Sequence, residues 1–279
     1  MNWKKESRAM TLHDIMAGMH KKLYSEQPIM IGLAGKAGSG KTSVAEALVP
    51  KGSFAKTQYG ARWDHIFFAL PLYEMLTSKV NIQGINQESR IKYAIHETLY
   101  ELYGSNSIGM IPDYDDFIDK VNNIYNLPLD ANASKQRTFL QKAGDICRDG
   151  YSECFCHWAI GKTLKLYKSY IKTLEEDEEE SPFVVLVSDV RFENEAKSIL
   201  KMPNGFVVYF DAEQEVLNER LMKRDGRIST PEQNAHASEQ EVNFVKDIAS
   251  FVIDTNNLTI EQQVNKTLKT LGFIQEKHA

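Results

Sequence analysis

Short apolar runs occur along this chain at intervals that suit buried β-strands. They cover residues 29–34, 183–187, 206–210 and 251–253, with a weaker run at 66–69. Segments with helical spacing of apolar residues lie between them, so consecutive strands must be joined by crossover connections. Crossovers keep neighbouring strands parallel and place helices on both faces of the sheet. The pattern therefore predicts an α/β fold around a parallel sheet.

Helical patterns also extend beyond these intervals. Residues 11–24 carry apolar side chains at helical spacing, which predicts an accessory helix within residues 1–27. Near the other end, Thr259 and Gln262 form a capping box for a last helix. Residues 104–134 are rich in Gly, Asn, Asp and Pro and are predicted to be a long connection. Because 279 residues bury one good core, residues 28–279 are predicted to form a single domain.

A glycine-rich segment follows the first predicted strand directly. It matches the pattern G-x-x-x-x-G-K-[ST] and consists of Gly35, Lys36, Ala37, Gly38, Ser39, Gly40, Lys41 and Thr42. Such a loop turns backbone N–H groups towards phosphates at the N-terminus of a helix. Lys41 is expected to reach the β- and γ-phosphates of ATP, and Thr42 to offer its hydroxyl to Mg²⁺. The segment predicts nucleotide binding without separating kinases from other P-loop proteins.

The residues around Asp189 bear on the class of P-loop protein. Asp189 follows the apolar run at 183–187, where a second acidic residue of P-loop proteins supports Mg²⁺. ATPases that use hydrolysis to do work commonly carry a glutamate directly after this aspartate, whereas here Val190 and Arg191 follow. A GTPase would carry an Asn-Lys-x-Asp segment, and residues 243–247 have the wrong spacing for one. These features favour a kinase.

A polar stripe runs along the helix predicted at 135–149. Arg137, Gln141, Asp145 and Arg148 follow each other at spacings of four, four and three residues. A packed helix with such a stripe is suited to gripping a phosphate and hydrogen-bonding a sugar or base. A solvated helix face with an ion pair between Asp145 and Arg148 is the alternative.

Charged residues also follow the strand that ends near residue 187. Residues 189–195 carry them at alternating positions, with Arg191 and Glu195 among them. Open α/β sheets bind ligands beyond the carboxyl ends of their strands, so this segment is a candidate part of the site. A capped helix start that uses Glu195 is compatible with this interpretation.

A third cluster consists of Arg220, Arg224 and Arg227. A polar stretch follows it, and together they predict a lid at about 220–241. Guanidinium groups on a closing segment would neutralise the transferring phosphoryl group and exclude water. The alternative is a surface helix whose buried side carries Leu217 and Leu221.

Composition narrows the expected partners and compartment. A net charge of −5 argues against a nucleic acid duplex or a membrane surface as the main partner. The three cysteines, Cys147, Cys154 and Cys156, are too few and too close for a disulfide framework, and a zinc site would need a fourth ligand. Residues 1–10 lack the apolar core of a signal peptide. We expect a cytoplasmic protein, and the sequence leaves its oligomeric state open, a homodimer included.

Taken together, these segments resemble the deoxynucleoside monophosphate kinases encoded by bacteriophages, a branch of the P-loop nucleoside monophosphate kinases. Beside the phosphate loop, the resemblance is carried by Phe-Ala-Leu-Pro-Leu at 68–72, Arg-Thr-Phe-Leu-Gln at 137–141 with Gly144, Asp145 and Arg148, Asp-Val-Arg-Phe-Glu-Asn-Glu at 189–195, and His-Ala-Ser-Glu at 236–239. It extends over about residues 29–258. It implies a P-loop three-layer fold with a five-stranded parallel sheet, a helical acceptor-binding region at about 71–180 and a lid.

The resemblance also implies an activity. The γ-phosphoryl group of ATP would pass, with Mg²⁺, to a deoxynucleoside monophosphate in nucleotide biosynthesis. Matching positions place Arg137, Asp145, Arg148, Trp158, Asp189 and Glu195 around the acceptor. The chain departs from the family at Leu70 and Tyr73, where an acidic residue and a lysine are common. Dephospho-coenzyme A or phosphomevalonate kinases remain alternatives in the same class, and a P-loop ATPase acting on a macromolecule is one in another class.

Overall fold

A single mixed sheet organises the chain. The computed structural model describes residues 27–49, 55–56, 61–81, 102, 111, 113–125, 136–174, 181–231 and 235–273. Within these ranges six strands pair in the order β2-β3-β4-β1-β5-β6. The strands are β1 Ile29–Ala34, β2 Ala55–Lys56, β3 Arg62–Ile66, β4 Phe183–Val190, β5 Gly205–Asp211 and β6 Phe251–Asp254. The five strands from β3 to β6 in this order run parallel, and only the pairing of β2 with β3 is antiparallel.

Helices cover both faces of the sheet. In the described residues they are α1 Lys41–Leu48, α2 Leu70–Asn81, α3 Tyr114–Tyr125, α4 Arg137–Gly150, α5 Cys154–Ile171, α6 Glu193–Leu200, α7 Gln214–Asp225, α8 Ala237–Gln240, α9 Val242–Ile248 and α10 Ile260–Thr270. Successive residues of β1 point to opposite faces, so Ile31 packs with α1 and α10, whereas Met30 packs with α4 and α5. The result is the three-layer α/β fold that the sequence predicts.

The central strands of the sheet are the ones that the apolar runs predicted most clearly. Every residue of β1 is buried, and β4 is buried from Phe183 to Ser188, because both strands are covered on two faces. β4 runs to Val190, so Asp189 belongs to the end of the strand itself. The predicted capping box is also confirmed, since the Thr259 side chain accepts from the N–H of Gln262 and the Gln262 side chain accepts from that of Thr259.

The weak run at 66–69 is not a strand. The strand is β3, which begins four residues earlier at Arg62 and ends at Ile66. Only Trp63 and Ile66 of this strand are buried, so its sequence lacks the continuous apolar character of a central strand. The apolar residues that follow form the turn into α2. The two-residue strand β2 was also not predicted.

The predicted connection at 104–134 contains α3. Phe117, Val121 and Ile124 are buried on one side of this helix, at helical spacing. Asn and Asp residues occupy its exposed side, and this loop-like composition hid the apolar spacing from the sequence analysis. The accessory helix predicted at 11–24 lies outside the described residues.

Candidate active site

A cavity of about 1100 Å³ opens at the carboxyl ends of the parallel strands. Its lining comes from the phosphate loop, the turn between β3 and α2, the helices α4 and α7, the end of β4, the segment around α8 and the start of α10. Open α/β sheets bind ligands at this edge. The cavity is large enough for more than one small molecule.

The phosphate loop lies between β1 and α1 and has the shape that phosphate binding needs. Gly38 and Gly40 have φ angles of 88° and 95°, a left-handed conformation that favours glycine. A Cβ atom on Gly38 would lie 2.9 Å from the carbonyl oxygen of Leu217, and one on Gly40 would collide with Oε1 of Gln263. The Oγ atom of Ser39 is buried and has no partner in the described residues. An anion in the loop would give this hydroxyl an acceptor, so the loop fits the phosphates of a nucleotide.

Lys41 begins α1 and is held in place by the loop that precedes it. Its side chain is only 5% exposed, and Nζ donates to the carbonyl oxygen of Lys36 at 3.2 Å. Both Lys41 and Thr42 line the cavity. A nucleotide phosphate held by the loop would bring negative charge to this ammonium group.

Asp189 binds the turn between β3 and α2. Oδ1 accepts from the N–H of Phe68 at 2.6 Å, and Oδ2 accepts from the N–H of Ala69 at 2.9 Å. Each carboxylate oxygen keeps a further lone pair. Asp189 and the hydroxyl of Thr42 line the same cavity, and oxygen donors of this kind suit Mg²⁺ together with water ligands. These two residues therefore fit the predicted magnesium site.

Arg148 and Glu195 form a buried ion pair at the cavity wall. Nη2 of Arg148 lies 3.1 Å from Oε1 of Glu195, and the two side chains are 22% and 2% exposed. Oε2 of Glu195 accepts from the N–H groups of Arg191 and Phe192 at the start of α6, which confirms the predicted helix cap. Burial raises the pKa of Glu195, and the Arg148 guanidinium opposes that shift.

Arg191 connects the end of β4 to α8. Its Nη1 pairs with Oε1 of Glu239, while Oε2 of Glu239 accepts from the N–H of Ala37 in the phosphate loop at 3.4 Å. Glu239 therefore contacts a backbone N–H of the loop that is predicted to hold phosphates. The contact links α8 to both the loop and the strand end.

Asp145 is paired with a histidine and not with Arg148. Oδ2 of Asp145 lies 2.9 Å from Nε2 of His236, and Nδ1 of His236 accepts from the N–H of Ser238 at 3.2 Å. Because Nδ1 acts as an acceptor, the N–H group is at Nε2, and it donates a hydrogen bond to Asp145. The alternative ion pair between Asp145 and Arg148 is therefore not what the structure shows. Asp145 joins α4 to the segment that begins α8.

The three predicted lid arginines occupy different surroundings. Arg220 lies within α7 and donates to the carbonyl oxygens of Thr255 and Asn256, at 2.5 Å and 3.4 Å, and to Oγ1 of Thr255 at 3.3 Å. Arg224 makes a two-bond pair with Asp225 at 2.8 Å and 2.6 Å. Both line the cavity, whereas Arg227 is exposed beyond the end of the helix. Leu217 and Leu221 are buried on the inner side of α7, as the alternative of a surface helix requires.

We expect Arg220→Ala to reduce the free energy of unfolding and to have only a small effect on kcat. Its guanidinium ties α7 to the segment after β6, and loss of such hydrogen bonds should reduce the free energy of unfolding by about 1–3 kcal/mol. Chemical denaturation measures this, with Lys223→Ala at an exposed position of the same helix as the matched control, expected to change it by less than about 0.5 kcal/mol. Unchanged stability with a reduced kcat would instead favour Arg220 as a lid residue.

The remaining residues predicted to bind the acceptor do not all lie at the cavity. Gln141 lines the cavity from α4. Arg137 begins α4, and its side chain lies outside the described part of the chain. Trp158 is 5% exposed within the apolar core and is not part of the cavity lining. The structure therefore brings Gln141 and Arg148 together at the cavity and leaves Trp158 behind its wall.

Aromatic residues of the cavity wall were not found from the sequence. Phe67 and Tyr73 both line the cavity, with ring centroids 5.5 Å apart in an edge-to-face arrangement. Beside them, Nε2 of His65 lies 2.7 Å from Oγ of Ser188. These residues lie around the β3–α2 turn. The sequence analysis assigned residues 66–69 to a strand, so it did not place this turn at the cavity. Flat aromatic side chains suit contact with a planar ring.

The cysteines behave as core residues. All three are buried, and burial raises the pKa of Cys147 and Cys156 to about 12. Thiols with such a pKa stay protonated at neutral pH. In the described ranges, no group of three or more His, Cys, Asp or Glu side chains is arranged to hold a metal ion. Burial among apolar residues is the setting in which cysteine acts as a small packing side chain.

The complete phosphate loop after the central strand, together with the parallel strand order, decides the fold. The chain has a P-loop three-layer fold. No family model matches the sequence, and no curated protein does. Nor is any helix in the described part of the chain long and apolar enough to cross a membrane.

Solved structures give distant matches to this P-loop chain. TT1252 from Thermus thermophilus is 18% identical, with a TM-score of 0.41, over 88% of this chain and 98% of that one. A gluconokinase from Sinorhizobium meliloti 1021 is 16% identical, with a TM-score of 0.35, over 88% and 91%. An uncharacterised protein from Eubacterium ventriosum ATCC 27560 is 11% identical, with a TM-score of 0.31, over 88% and 98%. Similarity at this level carries no inference about activity.

Proposed function

We propose that the protein is an ATP-dependent phosphotransferase that converts a deoxynucleoside monophosphate to the diphosphate. The observation that carries this proposal is one cavity with two different walls. The phosphate loop with Lys41 and Thr42 forms one of them, and Arg148, Gln141 and the aromatic residues form another. The resemblance of the sequence to phage deoxynucleoside monophosphate kinases supports the choice of acceptor and points to nucleotide biosynthesis.

The side chains have distinct roles in this proposal. Lys41 would stabilise negative charge on the β- and γ-phosphates as the bond to the leaving oxygen breaks. Bound Mg²⁺, held by Thr42 and Asp189, would supply further charge neutralisation on the phosphates. Arg148 would hold the acceptor phosphate, and Gln141 would hydrogen-bond its sugar or base. Arg224, which lines the cavity, would leave Asp225 to meet the transferring group.

The partners of three carboxylates at the cavity favour an acceptor that is already ionised. Asp189 accepts two backbone N–H groups, Glu195 is bound to Arg148, and Glu239 is bound to Arg191. In each case the oxygens that form these contacts are engaged with groups of the protein and not with a substrate hydroxyl. A hydroxyl acceptor needs a general base, whereas a phosphate oxygen is ionised near neutral pH and needs none. We therefore propose in-line transfer to an ionised acceptor oxygen, without a covalent intermediate.

An acceptor screen tests the proposal. ATP and Mg²⁺ are supplied with each of dAMP, dCMP, dGMP and dTMP, and with dephospho-coenzyme A and phosphomevalonate, while ADP formation is followed by a coupled assay. We expect turnover that requires one or more of the deoxynucleotides and stops when EDTA removes the metal. Turnover with dephospho-coenzyme A or phosphomevalonate alone would show that the proposed acceptor is wrong. ATP hydrolysis that is equally fast without any acceptor would indicate an ATPase.

A further inference from the structure

Arg148 is enclosed on several sides by other residues. We propose that Gly144 and Glu195 are positioning residues that fix the Arg148 guanidinium for the acceptor phosphate, and that Glu195 itself does not bind the acceptor. The inference rests on the proposed function for the identity of the bound group. It departs from the resemblance, which implies that Glu195 lies among the acceptor-binding residues.

Two aromatic rings hold the plane of the guanidinium. Its Cζ atom lies 3.8 Å from the ring centroid of Phe192 and 4.6 Å from that of Phe155. Stacking of this kind is favourable for a guanidinium and restricts rotation of its plane. Phe155 comes from α5 and Phe192 from the start of α6, so Arg148 of α4 is fixed against two other elements.

Glu195 holds one edge of the same group and has its own oxygens occupied. Oε1 accepts from Nη2 of Arg148, and Oε2 accepts from the N–H groups of Arg191 and Phe192. The side chain is only 2% exposed. A carboxylate so enclosed and bonded acts on the acceptor through Arg148. Since Oε2 is bound at the start of α6, Glu195 also fixes Arg148 relative to the end of β4.

Gly144 provides the space that this placement needs. A Cβ atom at Gly144 would lie 2.8 Å from Nη1 of Arg148, one helical turn further along α4. Glycine inside a helix is unfavourable relative to alanine. The φ angle of Gly144 is not positive, so conformational freedom gives no reason for a glycine here. The absence of a side chain leaves room for the guanidinium against the helix.

Alanine at Gly144 gives a test that leaves every charge in place. The added methyl group meets the far end of a flexible side chain, so the Arg148 guanidinium must shift while the helix keeps its backbone. We expect Gly144→Ala to raise KM for the deoxynucleotide by about tenfold, with KM for ATP nearly unchanged. The matched control is Gly161→Ala in α5, where an added Cβ meets nothing within 4 Å and both KM values should stay as in the parent.

A double-mutant comparison shows whether the effect passes through Arg148. Arg148→Ala should also raise KM for the acceptor, and Gly144→Ala combined with it should add nothing further, because the displaced group is already gone. Additive losses would overturn the inference. If Gly144→Ala does not fold, Glu195→Gln serves instead, since it keeps the shape of the side chain and removes the charge that fixes Arg148.

Side-chain NMR separates this inference from the proposed function. In protein labelled with ¹⁵N-arginine, with the Arg148 signal assigned from Arg148→Lys, slow rotation of the guanidinium is expected in the parent and in Gly161→Ala. Faster rotation or a shifted signal is expected in Gly144→Ala and in Glu195→Gln. An unchanged Arg148 signal in both variants would refute the positioning role. Fixed Arg148 together with no transfer to any deoxynucleotide would refute the proposed function alone.

Discussion

Replacement of Lys41 with alanine should reduce phosphoryl transfer on the order of a thousandfold while the protein stays folded. Lys41 is 5% exposed and lies at the start of α1, where it would meet phosphates held by the loop. Negative charge that develops on the transferring group would lose one of the cations proposed to stabilise it. Steady-state kinetics with the acceptor from the screen measure the loss, and circular dichroism checks the fold.

Lys36 supplies the matched control for this prediction. It belongs to the same loop, and its backbone carbonyl oxygen, which alanine retains, accepts from Nζ of Lys41. Lys36→Ala should therefore change kcat far less than Lys41→Ala. A Lys41→Ala protein with nearly normal turnover would remove the phosphate loop from the mechanism, and with it the proposed function.

Asp189→Asn should lower both activity and stability, because this carboxylate has two structural partners and a predicted role at the metal. Both oxygens accept backbone N–H groups of the β3–α2 turn, and an amide offers only one oxygen to these two donors. One N–H would face an NH₂ group, which should reduce the free energy of unfolding by about 1–3 kcal/mol. Loss of the negative charge near Mg²⁺ should reduce kcat by about a hundredfold. Denaturation and steady-state kinetics measure the two effects.

Asp211→Asn is the corresponding control at the end of β5. Asp211 pairs on the surface with Lys246 at 2.7 Å, and this partly exposed pair should contribute less than about 1 kcal/mol. Its amide variant should keep normal kinetics. If Asp189→Asn loses stability but keeps kcat, the residue supports the turn alone and the metal site needs another carboxylate.

The sequence by itself determined the central part of this fold and its phosphate loop. β1, and β4 and β5 up to their last residues, are apolar runs because a strand covered on both faces has no side that readily tolerates polar residues. The loop after β1 is equally local, since its glycines, Lys41 and Thr42 are consecutive or nearly so. Such features depend on neighbours in sequence, and a pattern of residues specifies them completely.

The sequence failed where burial is one-sided or polar composition hides it. β3 is flanked by β4 and the two-residue strand β2, and only Trp63 and Ile66 of it are buried, so the more apolar turn beside it was taken for the strand. α3 presents Asn and Asp to solvent, and these two residue types are typical of turns and loops. In both cases the tertiary neighbours decided which residues are covered.

The partners of the charged residues were decided by the tertiary structure alone. Arg148 meets Glu195 across 47 residues, His236 meets Asp145 across 91, and Ala37 meets Glu239 across 202. Arg220 and Arg224 belong to the same arginine cluster of the sequence, but Arg220 binds the segment after β6 whereas Arg224 pairs with Asp225. A sequence pattern reports that a residue can form an ion pair or a hydrogen bond. Which partner it finds depends on the crossovers that bring distant strand ends to one edge of the sheet, and that proximity exists only once the chain is folded.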